Sequence, residues 1–250
     1  MQGYMLLSGM LIVLGACSPA GHSGASPISS PPVQQVIPSY EDTAAFRQAA
    51  QATVQEFATR VKELGTDLGA VPTVEVRTTP MLIYFDGAAG KIVAPWWSDF
   101  GPEQRALFAH FAGGDDAAGE RLFRAFFHRF FVPHEAAHWY QRQTGTREAT
   151  LYANEQAANR LAVAFWRTQP DGEAFLSEME RMLVGLVQRI PDPTPPGEDP
   201  VTYFGANYRT LAQAPMKYGY YQFRFVLEAL RERKTLELPT LVRRTAASTP

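Results

Sequence analysis

The sequence predicts an α+β fold, with a small β-sheet followed by a mostly helical C-terminal half. Three observations carry that prediction. Short alternating or apolar runs are confined to one stretch, between Val74 and Ala94, with a glycine-rich turn among them. Apolar residues at helical spacing fill the chain on either side of that stretch. Capping residues, prolines and glycines then divide the C-terminal half into helix-sized pieces. At 250 residues, 46% of them hydrophobic, the chain has material for one good core. A formal net charge of -2, with no run of Lys or Arg, argues against a nucleic-acid surface.

The N-terminal stretch reads as targeting rather than fold. Met5 to Ala16 is apolar, too short to span a bilayer, and of the size of a signal-peptide core. Leu14-Gly15-Ala16-Cys17 resembles the bacterial lipobox, which implies cleavage before Cys17 and lipidation of its thiol. An ordinary secretory signal with an incidental cysteine is the alternative. No Lys or Arg precedes the apolar run, unlike the usual signal. Cys17 is the single cysteine, so neither a disulfide nor cysteine catalysis is available to the rest of the chain. Ser18 to Ser39 is rich in Ser, Pro, Gly and Ala and has no charged residue, as a flexible tether would. The expected layout is a signal peptide over 1–16, a lipidated cysteine and linker over 17–39, and a folded domain over 40–245. The expected location is the bacterial cell envelope, lipid-anchored to a membrane and facing the periplasm or exterior.

Within the domain, Phe46, Ala50, Phe57, Val61 and Leu64 recur at near-helical spacing between an Asp42 cap and Gly65. Strands are expected at Val74–Arg77, Met81–Phe85 and Lys91–Ala94, the last two joined by a turn over Asp86–Gly90. Ile92 to Trp97 is the expected edge of the sheet, open to pairing with an extended peptide; the alternative is that Trp96 and Trp97 belong to the core. A helix is expected over Pro102–Phe111. Another, capped by Asp115, carries Leu122, Phe123, Phe126, Phe127, Phe130 and Phe131 and should be buried. Pro133 should kink it or restart it. Asp171 should cap a helix ending near Ile190, and the proline-rich, acidic segment 191–200 should be a surface loop. Asn207–Arg233 should hold one or two helices broken near Pro215. Beyond it a loose tail is expected.

The chemistry concentrates in Pro133-His134-Glu135-Ala136-Ala137-His138. On a helix, His134 and His138 are four apart and share a face, so both imidazoles can reach one zinc ion. Glu135 stands where a carboxylate can take a proton from the water that zinc activates. A catalytic zinc usually has three protein ligands, so a third must come from elsewhere. Glu155, in Asn154-Glu155-Gln156-Ala157-Ala158-Asn159, is the best candidate. Gly145 can end the first helix, and a second, from about Thr146 to Trp166, can fold back to bring Glu155 opposite the histidines. Asn159, one turn on, could hydrogen-bond a ligand. Glu148 is the rival third ligand. His110 and His128 have no ligand spacing to either motif and read as structural.

His-Glu-x-x-His followed by Asn-Glu-x-x-Ala-Asn resembles the gluzincins, the thermolysin-like class of zinc metallopeptidases. The resemblance covers about 25 residues. It implies a zincin-like fold, Zn2+ held by His134, His138 and Glu155, and Glu135 as general base. The gap between His138 and Glu155 is slightly shorter than is typical of thermolysin, and Asn159 stands where many members have Asp. The metzincin extension is absent, with Gln141 and Thr144 where Gly and His are needed. An aspzincin would need Asp at 149, which is Ala149. Such enzymes use a His or Tyr to stabilise the oxyanion. Tyr208, Tyr218, Tyr220 and Tyr221 follow the Glu155 helix, and Tyr218 is the choice among them; the alternative is that these tyrosines only pack the helix. Two functions are therefore expected. One is a membrane-anchored zinc metallopeptidase acting on a peptide or protein. The other is an inactive member that keeps the scaffold as a cell-envelope binding module.

Overall fold

The computed structural model describes residues 36–246, so the expected signal peptide, Cys17 and most of the tether lie outside the described residues. Helix α1 (Thr43–Glu63) begins as expected, with the Asp42 carboxylate accepting from the Ala45 N–H at 2.8 Å. Its buried face is Phe46, Ala50, Val54, Phe57 and Val61, and it packs against the sheet and the motif helix. Packing extends before the expected boundary at Tyr40. Ile37 is fully buried, and the Arg129 guanidinium, itself buried, holds the Val36 carbonyl.

The sheet has three short strands, β1 (Thr73–Val76), β2 (Tyr84–Asp86) and β3 (Lys91–Ala94), in the order β1-β3-β2. β3 runs parallel to β1 and antiparallel to β2. This corrects the expected edge: β3 is the central strand, and Ile92, Val93, Ala94 and Trp97 are buried. A central strand is covered on both faces, which explains its unbroken apolar run. The edge nearest the motif helix is β2, which starts later than expected because Leu82 adopts the left-handed region (φ 61°) and bonds back to the Thr79 carbonyl.

Helix α2 (Pro102–Ala112) and helix α3 (Asp116–Phe123) pack closely. Gly119 permits it, since a Cβ there would come within 2.7 Å of the Ala109 main-chain nitrogen. α3 does not stop. It passes through a π-helical stretch, Arg124–Phe130, straight into α4 (Phe131–Thr144), the motif helix. Here the expected interruption takes the form of a change of helical winding completed three residues before Pro133, whose missing N–H cannot serve a regular turn. Phe123, Phe126, Phe127, Phe130 and Phe131 are all buried there, as their composition predicts.

Gly145 ends α4 in the left-handed conformation (φ 70°). Helix α5 (Leu151–Arg167) starts later than expected, because the Thr150 hydroxyl accepts from the Ala153 N–H and caps it. It lies against α4. Helix α6 (Gly172–Val187) follows; Asp171 precedes it but turns its carboxylate to Arg129 at 2.7 Å instead of capping. Two helices broken just before Pro215 occupy the next region as expected, although the first begins earlier, at Pro200: α7 (Pro200–Ala212), capped by Asp199, and α8 (Pro215–Glu232). The expected tail is instead helix α9 (Leu238–Ala246). Leu236, Leu238 and Val242 are buried, and the Tyr140 hydroxyl donates to the Val242 carbonyl at 3.1 Å.

Candidate metal centre

The helix pair α4 and α5 brings the expected residues together. His134 and His138 stand one turn apart on α4, with ring centroids 4.7 Å apart, and their Nε2 atoms face each other at 3.1 Å. Glu155 approaches from α5. Its Oε2 lies 3.5 Å from His134 Nε2 and its Oε1 3.6 Å from His138 Nε2. One ligand atom from each of the three residues falls within a sphere of contacts no longer than 4.8 Å, so the group could hold a metal ion. Glu148 is exposed in the turn before α5 and lies outside this group.

The surroundings fit a cation. Two imidazole nitrogens and a carboxylate are a donor set for a divalent transition metal. Burial alone would raise the Glu155 carboxyl, but His138 and His134 outweigh it and hold the group well below the usual carboxylate range. Burial likewise opposes charge on His138, but Glu155 overrides it and lifts the imidazole to about 9. Without a metal, then, the His138–Glu155 pair keeps a proton, and a cation would displace it.

A ligand's orientation is set by what its other atoms touch. His138 Nδ1 meets Gln141 Oε1 at 2.8 Å, and Gln141 Nε2 donates to the Asn154 carbonyl at 3.1 Å. Since Gln141 Oε1 can only accept, Nδ1 carries a hydrogen, and once a cation displaces the proton shared with Glu155 it is Nε2 that offers a lone pair. Gln141 was not singled out from the sequence; its place one turn after His138 is the only signal that could have found it. Asn159 does not reach a ligand side chain. It donates from Nδ2 to the Glu155 main-chain carbonyl at 2.9 Å, while its Oδ1 and His134 Nδ1 are both buried without a partner.

Glu135 is buried beside this group. Its Oε2 accepts from the Phe85 N–H of β2 at 2.8 Å, and its Oε1 lies 4.0 Å from His134 Nε2. Burial raises the carboxyl above its ordinary range; the two histidines and the Phe85 N–H pull the other way and do not cancel it. A raised carboxylate is a better proton acceptor. Phe85 therefore spends its N–H on Glu135 and not on β3, which is the alternation an antiparallel pair requires.

The four tyrosines separate into two pairs. Tyr220 donates to Asp192 at 2.5 Å and Tyr221 bonds Thr194 at 2.6 Å, so both serve the proline-rich loop. Tyr218 and Tyr208 adjoin the metal group, their rings 6.0 Å apart. Burial, and then the Glu155 charge, raise both phenols above their ordinary range, Tyr218 most. Both therefore stay protonated and able to donate. The Tyr218 oxygen accepts from Gln222 Nε2 at 3.0 Å, and the same nitrogen reaches Glu155 Oε2 at 3.2 Å. Neither His110 nor His128 belongs to the metal group. His110 is exposed. His128 is buried, stacked on Phe46 and Trp96, with Nε2 at 3.2 Å from the Pro95 carbonyl.

No protein-family model matches the chain, and no curated protein or solved structure does. The reading of the site therefore rests on its geometry.

Proposed function

We propose that this chain is a zinc metallopeptidase of the gluzincin type, held at a membrane of the bacterial cell envelope through Cys17. The observation that carries the reading is the convergence of His134, His138 and Glu155 on one point with a buried Glu135 alongside. Zinc bound by those three residues supplies a water acidic enough to be used near neutral pH and a Lewis acid for a carbonyl oxygen. The chain supplies the rest. Glu135 keeps Oε2 on the Phe85 N–H, which leaves Oε1 to accept the proton of the attacking water and pass it to the leaving amine. Tyr218, and Tyr208 beside it, are protonated donors suited to a developing oxyanion. β2 is an outer strand whose Phe85 N–H, facing away from β3, holds Glu135, so the sheet edge fixes the proposed general base beside the metal group.

The second reading, a non-catalytic binding module, is favoured by one feature: Glu135 is buried and already engaged by a main-chain N–H. One experiment separates the two. Protein stripped of metal and reloaded with zinc is assayed for bound zinc and for cleavage of a peptide library, with Glu135→Gln as control. Zinc retained and cleavage lost only in the variant supports the peptidase. Zinc retained without cleavage in either supports the binding module.

A further inference from the structure

We infer that Gln222 is a positioning residue for Glu155, holding one carboxylate oxygen so that the other alone is offered to the metal. The inference rests on the metal reading above. Gln222 and Tyr218 are one turn apart on α8, and so share a face. α8 packs on α5, which brings that face onto Glu155. Gln222 is 7% exposed. Its single amide nitrogen has two hydrogens, and the structure gives it two acceptors: Glu155 Oε2 at 3.2 Å and the Tyr218 oxygen at 3.0 Å.

The residue type follows from the charge of the site. Lys or Arg at this position would pair with Glu155 and repel an incoming cation. Asp or Glu would set a second carboxylate against the first. A neutral amide donor does neither. It satisfies one oxygen of a buried carboxylate, which would otherwise cost free energy, and leaves the carboxylate's charge for the cation. Both Glu155 oxygens face the histidines, Oε2 at 3.5 Å from His134 Nε2 and Oε1 at 3.6 Å from His138 Nε2; with Oε2 held by Gln222, Oε1 is the one that would be left for a metal. Single-oxygen ligation keeps a coordination position open for water, which the chemistry of a hydrolytic site needs. The same nitrogen fixes the Tyr218 oxygen as an acceptor, so the hydroxyl hydrogen of Tyr218 turns away from Gln222, towards Tyr208.

Gln222→Met keeps the volume and removes the donor. Metal-stripped wild type and variant are titrated with zinc against a competing chelator, then loaded with cobalt for visible absorption. Wild type should give the intense bands of a four-coordinate cobalt site. Gln222→Met should bind zinc about 10- to 100-fold more weakly, the usual scale for loss of a ligand's supporting partner. Its cobalt bands should weaken as the released carboxylate grips through both oxygens. A purely structural residue would change melting without changing the bands of the folded protein. Gln222→Asn, which keeps the amide but withdraws it by one methylene, must move both readouts in the same direction, and it decides the matter if Gln222→Met does not fold. Unchanged affinity and bands in a folded variant overturn the role of Gln222 alone. Wild type that retains neither metal overturns the metal reading and Gln222 with it.

Discussion

At the scale of single residues, the roles within the motif are separable. Glu135 lies outside the three-residue group that could hold a metal, so on the proposed reading Glu135→Gln should keep zinc while lowering kcat by roughly 10²–10⁴-fold, the scale for loss of a general base. Glu155→Ala should lose metal, and Glu148→Ala, exposed and remote from the group, should not. Chelator competition on both variants checks this; metal retained by the first and lost by the second would make Glu148 the ligand. A different residue contributes to acid stability. Burial drives the His128 imidazole down to about 4 from an ordinary 6.5, more than the Pro95 carbonyl restores, with Arg124 adding to the fall. Its contribution is fully present above pH 6.5. It is lost as pH falls towards 4, because in that window the unfolded chain takes up a proton that the native one refuses. The amount at stake is about 3 kcal/mol. His128→Gln can still donate to Pro95 and does not titrate, so denaturant midpoints from pH 7 to 4 should fall less steeply in the variant. Parallel curves for both proteins would remove His128 as the cause.

At the scale of elements, the decisive piece is the continuous passage from α3 through the π-helical stretch into α4. An i→i+5 winding moves each side chain round the axis relative to a regular helix. The facing of His134 and His138 towards α5 is therefore set in part by Arg124–Phe130, the stretch just before the motif. α9 is the second element with a consequence. It is attached through Leu236, Leu238 and Val242 and through Tyr140, which lies on the motif helix itself. Leu238 is 3% exposed, so Leu238→Ala should cost about 2–5 kcal/mol in the transfer of buried atoms and the cavity left behind. Thermal or denaturant unfolding measures it. A loose tail would give a change near zero.

At the scale of the whole molecule, the packed chain begins before Tyr40. Ile37 is buried, and Arg129 ties Val36 to Asp171 while lying over the rings of Trp166 and Phe175. A buried guanidinium loses one of its two hydrogen-bond partners if that segment is cut away. A form starting at Gln34 should thus match the longer protein in unfolding midpoint and zinc content, whereas one starting at Tyr40 should melt several degrees lower. Equal melting of the two would place Val36 and Ile37 outside the folded unit. Zinc binding to either should also weaken on acidification, since a cation must displace the proton shared by His138 and Glu155.

The sequence alone determined the class of the fold and named the three residues that the structure brings together as a group that could hold a metal ion. Helical spacing places His134 and His138 on one face with no help from the rest of the chain, and Gly145 has the left-handed conformation that ends α4. Caps formed by single side chains, at Asp42 and Thr150, are local in the same way, although only the first was read from the sequence. What tertiary structure decided is everything that needs two distant segments to meet. Strand order is such a case: Ile92–Ala94 is apolar because it is central, and the same run was compatible with an edge. The partners of the ligands are another. Gln141 bonds within its own helix and beyond it to Asn154, while Gln222 reaches Glu155 only because α8 lies on α5. Phe85 reaches Glu135 across the sheet edge through a main-chain N–H, a group every residue but proline carries and no sequence pattern marks. The burial of α9 follows the same rule, because three apolar residues near a chain end specify an apolar face but not the surface that receives it.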